Sequence, residues 1–411
     1  MSITGDHGAD PGKVFGHPSK DGIDIIRARR ETPGCENVLH FNNAGAALMP
    51  EQVVEAVIRH LELEATIGGY EAADRAEHAI NRVYEAVARL INCNPRDVAI
   101  IENATRAWDM AFYAFKFEAG DRILTATAEY ASNYLAYLQI AERTGAKIDV
   151  VPADEHGQVS VSRLAEMIDD RVKLIAITHV PTNGGLVNPA AEIGKLARDA
   201  RVPFLLDACQ SVGQMPIDVE EIGCDILTGT GRKYLRGPRG TGFLYVHPLL
   251  IESLEPPFID LHAAEWTGPD TYELRPDARR FENWESFVAG KSGLCVAIEY
   301  AMEWGLDAIY ARVQALADDL RKRLANIPGV HIRDLGIERC GIVSFTKSDN
   351  EAEDIKTALQ DDAINVSTSS SSSTLLDMQE REITSVVRAS VHYYNTEDEV
   401  MRFAEAVGKI G

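Results

Sequence analysis

The feature that most restricts how this chain can fold is the regular alternation, from residue 98 onward, of short apolar runs with amphipathic stretches. That rhythm is the pattern of a largely parallel sheet flanked by helices. The runs predict strands at 98–101, 122–127, 147–151, 172–178, 203–207, 225–228 and 242–246. Helical patterns such as 132–143 and 190–200 fall between them. Beyond residue 285 the rhythm changes. Helix-like stretches at 288–304 and 307–325 precede shorter strands at 330–333 and 341–346, a helix near 351–360 and a last helix over 396–410. The chain therefore divides into an N-terminal segment (1–40) expected to pack on a small domain, a large α/β domain (41–285) and a smaller C-terminal α+β domain (286–411).

Composition agrees with an ordered globular protein and excludes several others. With 411 residues, 45% hydrophobic and 25% charged, 31 Gly and 17 Pro, disorder, collagen and coiled coil are poor readings. The length allows two or three domains with a sizeable core. A formal charge of −22 repels phosphate backbones and anionic lipid surfaces, so nucleic acid and membranes are not expected partners. The six cysteines, Cys35, Cys93, Cys209, Cys224, Cys295 and Cys340, are scattered, without a C-x-x-C pair or metal-ligand spacing. They fit reduced thiols. Residues 1–16 carry no apolar stretch of signal-peptide length, and no segment approaches the ~20 apolar residues that span a bilayer. A cytoplasmic location is expected. The tract 369–373, all serine, reads by composition as a flexible linker.

Two stretches carry the chemistry. In Phe204-Leu-Leu-Asp-Ala-Cys-Gln-Ser an aspartate, Asp207, ends an apolar strand, the place where open α/β sheets bind ligands. In Thr228-Gly-Thr-Gly-Arg-Lys-Tyr a lysine, Lys233, follows in a Gly-rich loop. Pyridoxal phosphate uses such a pair: a lysine for its aldehyde and a carboxylate to keep its pyridine nitrogen protonated. From spacing alone, Asp207 as a helix cap and Lys233 in a solvated basic loop with Arg232, Arg236 and Arg239 remain open. The loop is not a P-loop, for it lacks G-x-x-x-x-G-K-[ST].

These motifs, taken with Phe41-Asn-Asn-Ala-Gly-Ala, Asn103-Ala-Thr-Arg and Val386-Val-Arg-Ala-Ser-Val-His-Tyr-Tyr-Asn-Thr-Glu, resemble in order those of the class V aminotransferase-like, fold type I pyridoxal phosphate enzymes. That group includes cysteine desulfurases, selenocysteine lyases, isopenicillin N epimerases and C–S lyases. The resemblance implies pyridoxal 5'-phosphate as cofactor and a homodimer with sites near the interface. It makes Lys233 the Schiff-base lysine, Asp207 the pyridinium partner and Gln210 the donor to the ring hydroxyl. Thr105, Arg106, Thr230 and Arg232 fall at phosphate contacts, the first two on a helix start whose N–H groups favour an anion.

Tyr130 stands where many relatives stack a histidine on the ring, although an unperturbed tyrosine titrates near ~10 rather than ~6.5. Asn183, near His179, falls at the cofactor edge, and Ala44 and Gly45 beside the substrate. Arg388, inside an apolar strand, matches the arginine that grips the substrate carboxylate; an internal salt bridge is the plainer alternative. Asn283 or Trp284 fills the place of a threonine that reaches the neighbouring subunit's phosphate, with interface packing as the alternative for Trp284.

The desulfurase loop cysteine has no counterpart: the matching stretch, 367–374, holds only serine and threonine, and no cysteine follows Cys340. A serine hydroxyl does not replace a sulfur nucleophile. The expectation is therefore β-elimination by a C–S lyase acting on a cysteine S-conjugate or its sulfoxide, without persulfide chemistry. Epimerisation, transamination and decarboxylating deamination are the alternatives on the same fold, and a non-catalytic binding protein the alternative of another class.

Overall fold

The computed structural model describes residues 22–411. The expectation for 1–40 lies partly outside the described residues. Of the part described, the helix Ile25–Arg30 buries Ala28 in the C-terminal core, and Arg29 pairs with Glu399 at 2.8 Å.

All seven expected strands of the large sheet are present, four with the expected bounds and three with ends moved by one or two residues. They are β1 (Val98–Ile101), β2 (Arg122–Ala126), β3 (Lys147–Val151), β4 (Val172–Thr178), β5 (Phe204–Asp207), β6 (Ile226–Thr230) and β7 (Gly242–Val246). Their spatial order is β1-β7-β6-β5-β4-β2-β3. Five neighbours, from β6 to β3, run parallel, while β7 is antiparallel to both β1 and β6. Helices Ala131–Thr144, Val161–Met167 and Ala190–Ala200 form crossovers, as parallel pairing requires. Because both faces are covered, β5 and β6 are buried at every residue.

Two long helices, Glu51–Ile67 and Gly69–Ile91, precede the sheet and pack on Val288–Trp304. A small hairpin, β8 (Ala264–Gly268) with β9 (Thr271–Leu274), projects with Trp266 73% exposed. The second sheet is antiparallel throughout: β10 (Val330–Ile332), β11 (Ile342–Lys347), β12 (Ser367–Ser370) and β13 (Ser385–Ser390), in the order β10-β11-β13-β12. Its core joins Val343, Phe345, Val387 and Ala389 to Phe403 and Val407 of the last helix, Glu397–Lys409.

The serine tract corrects its compositional reading. Ser367–Ser370 is strand β12, paired with β13, and the turn after it is tied to the large domain where Ala131 N–H donates to the Ser373 carbonyl at 3.0 Å. Backbone pairing depends on no side chain, so a tract of one residue type takes a strand wherever a partner edge is offered. Among the described residues no helix is long and apolar enough to cross a membrane.

Candidate active site

A cavity of about 360 Å³ opens at the carboxyl ends of β4, β5 and β6, where the segment 44–45 and strands β12 and β13 close over the large sheet. Register explains the placement: Thr178, Asp207 and Thr228 are directly paired across the three strands, so the last side chain of β5 points out of the sheet into the cleft. Asp207 is buried and its two oxygens have separate donors. Cys209 N–H reaches Oδ1 at 3.0 Å and Asn133 Nδ2 reaches Oδ2 at 3.0 Å. The helix-cap alternative for Asp207 is not what forms, since no helix begins there.

Lys233 enters from the loop after β6 and lines the same cavity. Burial, with Arg232 and Arg388 nearby, lowers its pKa below the usual lysine range, against the raising influence of Cys209 and Asp207. The loop is held by close backbone packing. Gly213, at φ +91°, leaves no room for a Cβ, which would come within 2.5 Å of Leu235 N. Arg232 donates to the Gly45 carbonyl, and its own carbonyl accepts from Ala47 N–H at 3.0 Å, joining the lysine loop to the 44–47 segment.

At the far wall, Asn103 caps the helix Ala104–Phe112 by accepting from Arg106 N–H at 2.9 Å, and Asn103, Ala104 and Thr105 line the cavity. Gly242 keeps this helix start close to β7: a Cβ there would meet Asn103 C at 2.9 Å. Thr230, on β6, completes this wall.

Arg388 sits on β13 between Ser344 and Ser367, two small neighbours that leave its guanidinium space. Its partners are all neutral: Nη1 donates to Thr182 O at 2.8 Å and Thr182 Oγ1 at 2.7 Å, and Nε to Ser367 Oγ at 3.0 Å. The internal salt bridge is therefore not formed. Burial lowers its pKa to about 10, a measure of how poorly its charge is compensated.

Of the residues singled out from sequence, Ala44, Gly45, Thr105, Tyr130, Asp207, Gln210, Thr230, Arg232, Lys233 and Arg388 line this cavity. Arg106, Asn183, Asn283 and Trp284 stand elsewhere, Trp284 on a groove with Tyr70 and Phe287. Arg106 lies over the ring of Phe258. Asn183 holds the serine strand, bonding Ser369 Oγ and, at 2.6 Å, Thr374 Oγ1. Asn283 donates to Glu102 at 3.1 Å. Sequence reading gave no role to Asn133, Thr178 or Cys209, which also line the cavity; Thr182, which the resemblance places with Asn183 at the cofactor edge as the equivalent of a family asparagine, lines it too. Asn133 and Thr178 have no motif of their own and meet Asp207 only through the fold, whereas Cys209 lies in the same short motif as Asp207. His179 lies behind the wall, and burial lowers its pKa to about 4.

The arrangement fits pyridoxal phosphate. The helix start with Thr105, Thr230 and Arg232 would hold the phosphate, Asp207 the ring nitrogen and Lys233 the aldehyde. Gln210 lines the same space, with its Nε2 donating to the Ala44 carbonyl at 3.2 Å and its buried Oε1 without a partner, so donation to the ring hydroxyl would fall to the second N–H of Nε2. Arg388 remains free for an anionic substrate.

A family model described as Aminotransferase class-V matches residues 39–403. The chain belongs to the class V aminotransferase family. It is a pyridoxal phosphate-dependent enzyme. Within this family it is 29% identical, over 93% of its length and 97% of the relative's, to a "probable cysteine desulfurase" of Methanothermobacter thermautotrophicus. It is 26% identical to a cysteine desulfurase of Haloferax volcanii, covering 94% and 93% of the two chains. Among solved structures, the apo cysteine desulfurase of Thermococcus onnurineus superposes with a TM-score of 0.88 at 27% identity, covering 96% of this chain and 99% of that one.

These relatives overturn the functional expectation of a C–S lyase working by β-elimination without persulfide chemistry, and they stand equally against the alternatives placed beside it. That expectation rested on the missing loop thiol and on Tyr130 as a proton donor to the departing sulfur. The curated relatives matched over most of their length carry cysteine desulfurase names, which the absence of one loop cysteine does not outweigh.

Proposed function

We propose that this enzyme removes the sulfur atom of L-cysteine, leaving alanine and passing the sulfur to a thiol supplied from outside the chain as a persulfide. The observation that carries the reading is the cationic, neutral-partnered Arg388 facing Lys233 across a cavity framed as in a chain whose relatives are desulfurases. The reaction balances as cysteine plus R–SH giving alanine plus R–S–SH.

When bound, pyridoxal phosphate supplies an aldehyde for Lys233 and the substrate amine, and a ring that accepts the electron pair released at Cα. Arg388 grips the substrate carboxylate with the Nη2 edge that its protein partners leave open, which fixes the orientation of Cα. Lys233 Nζ, with its depressed pKa, takes the Cα proton and later returns protons to the product. Asp207 keeps the ring nitrogen protonated. Tyr130, at the start of helix Ala131–Thr144, offers a hydroxyl to the same space.

The external acceptor follows from the thiols present. Of the six cysteines only Cys209 lines the cavity, and burial, with Asp207 beside it, raises its thiol pKa well above the ordinary thiol value. Thr368, Ser369 and Ser373, from the stretch that matches the desulfurase loop, line the cavity and bring no thiol to it.

A homodimer belongs to the same proposal. Tyr70 (71% exposed), Trp284 (57%) and Phe287 (40%) gather on one groove, the kind of apolar patch a subunit covers. A reducing cytoplasmic location is supported by six free cysteines.

The test is to incubate the enzyme with L-cysteine and a small thiol and to measure alanine, persulfide and pyruvate. Alanine equal to persulfide, lost in Lys233→Ala, is the expected result. Pyruvate and ammonia in place of alanine refute the reading.

A further inference from the structure

Behind Asp207 stands a second carboxylate for which the reaction as described has no use. Glu129, 3% exposed, is held by five donors. Its Oε1 accepts from Tyr130 N–H at 3.1 Å, from Asn133 Nδ2 at 2.8 Å and from Thr178 Oγ1; its Oε2 accepts from Thr125 Oγ1 and Thr178 N–H, both at 3.1 Å. Asn133 Nδ2 spends its other hydrogen on Asp207 Oδ2 at 3.0 Å. One amide group thus bridges the two carboxylates.

That bridge has a direction. An ionised carboxylate only accepts, so an Asn133 turned the other way would aim its oxygen at two anions. Glu129 therefore fixes which end of Asn133 meets Asp207. Thr178 binds Glu129 and is also the strand partner of Asp207, so the same β-ladder sets both ends of the bridge. Burial, with the Asp207 charge adding to it, brings the Glu129 carboxyl up to about 7. At about pH 8 it is charged, and in a dry interior two charges separated by one amide act strongly on whatever lies beyond Asp207.

We propose that Glu129 is a positioning residue for the cofactor ring: through Asn133 it fixes the Asp207 carboxylate against the pyridine nitrogen, and its charge helps keep that nitrogen protonated. This deepens the reading above by resting on Asp207 as the ring partner, and it is independent of which substrate bond breaks.

The experiment reconstitutes wild type, Glu129→Gln, Asn133→Ala and Asp207→Ala with pyridoxal phosphate carrying 15N in the ring, at about pH 8. It reads the ring 15N shift and the cofactor Kd, neither of which requires substrate. A protonated nitrogen is expected in wild type. Glu129→Gln and Asn133→Ala are expected to move the signal toward the unprotonated position and to weaken cofactor binding 10- to 100-fold. Asn133→Ala opens onto the cavity and cuts the bridge while leaving four of the five Glu129 donors, so its result decides the matter if Glu129→Gln does not fold. Wild-type shift and affinity in Asn133→Ala, alongside loss of both in Asp207→Ala, overturn the inference and leave the Asp207 assignment standing. An unchanged signal in Asp207→Ala overturns both.

Discussion

Replacing Arg388 by methionine separates a stability effect from a binding effect of opposite sign. The guanidinium is buried against neutral groups, and the lowering of its pKa to about 10 is worth ~3 kcal/mol of uncompensated charge. Methionine relieves that penalty but gives up three hydrogen bonds, to Thr182 O, Thr182 Oγ1 and Ser367 Oγ. Thr182 borders the cavity and Ser367 is only half-buried, so water satisfies them afterward and their loss costs ~1–2 kcal/mol. The apoprotein is therefore expected to gain ~1–2 kcal/mol, a rise in Tm of ~1–2 °C for a chain of this size. Substrate binding moves the other way. Loss of a charge-assisted contact to a carboxylate costs ~3 kcal/mol, about 100-fold in KM for cysteine. Differential scanning calorimetry of the apoprotein and steady-state kinetics of the holoenzyme read the two effects. A variant that melts several degrees lower while keeping its KM refutes the reasoning, because Arg388 would then be a structural cation and not a carboxylate anchor.

Three further outcomes are expected. Cys209→Ala keeps most of the alanine-forming activity in the presence of an added thiol, since the variant retains the backbone N–H that serves Asp207; loss of alanine formation with cofactor still bound would make Cys209 the acceptor. Gly213→Ala destabilises by more than ~2 kcal/mol in urea titration, because φ +91° and Leu235 N at 2.5 Å exclude a Cβ beneath the Lys233 loop. His179, whose pKa falls to about 4 when folded, takes up its proton on unfolding between about pH 6.5 and 4, so stability contributed by its neutral form is present above ~6.5 and lost on acidification, by ~3 kcal/mol in all. Glu129 acts with the opposite sign, its burial costing stability as pH rises toward about 7. The comparison that isolates the histidine is the urea stability of His179→Gln against wild type from pH 7 to 4, where the variant's curve is expected to fall less steeply; parallel curves would contradict the buried neutral imidazole.

What could be read from sequence was what the chain keeps local. Asp207 ends an apolar run and Lys233 sits among glycines, so both declared themselves within a few residues of context. Arg388 was legible because a cation inside Val386-Val-Arg-Ala demands a reason. The residues missed belong to the site only through register. Asn133 lies two turns of chain from any strand end, and Thr178 is one polar residue closing an apolar strand; what joins them to Asp207 is the β4–β5 ladder and one bridging amide. The serine tract failed for the complementary reason, since composition describes side chains whereas β12 is held by backbone pairing and by Asn183. The same distinction explains the error about chemistry. On the reading proposed above, a missing loop thiol removes one acceptor for the sulfur, while the frame that sets Asp207, Lys233 and Arg388 around one cavity still holds the groups that would bind cofactor and substrate. A thiol installed on the loop, as in Ser371→Cys, is accordingly expected to change the sulfur acceptor without changing the carbon product: persulfide should accumulate on the protein, detectable by mass, while alanine remains the product. Pyruvate appearing in that variant would show that the loop, and not the frame, selects the reaction.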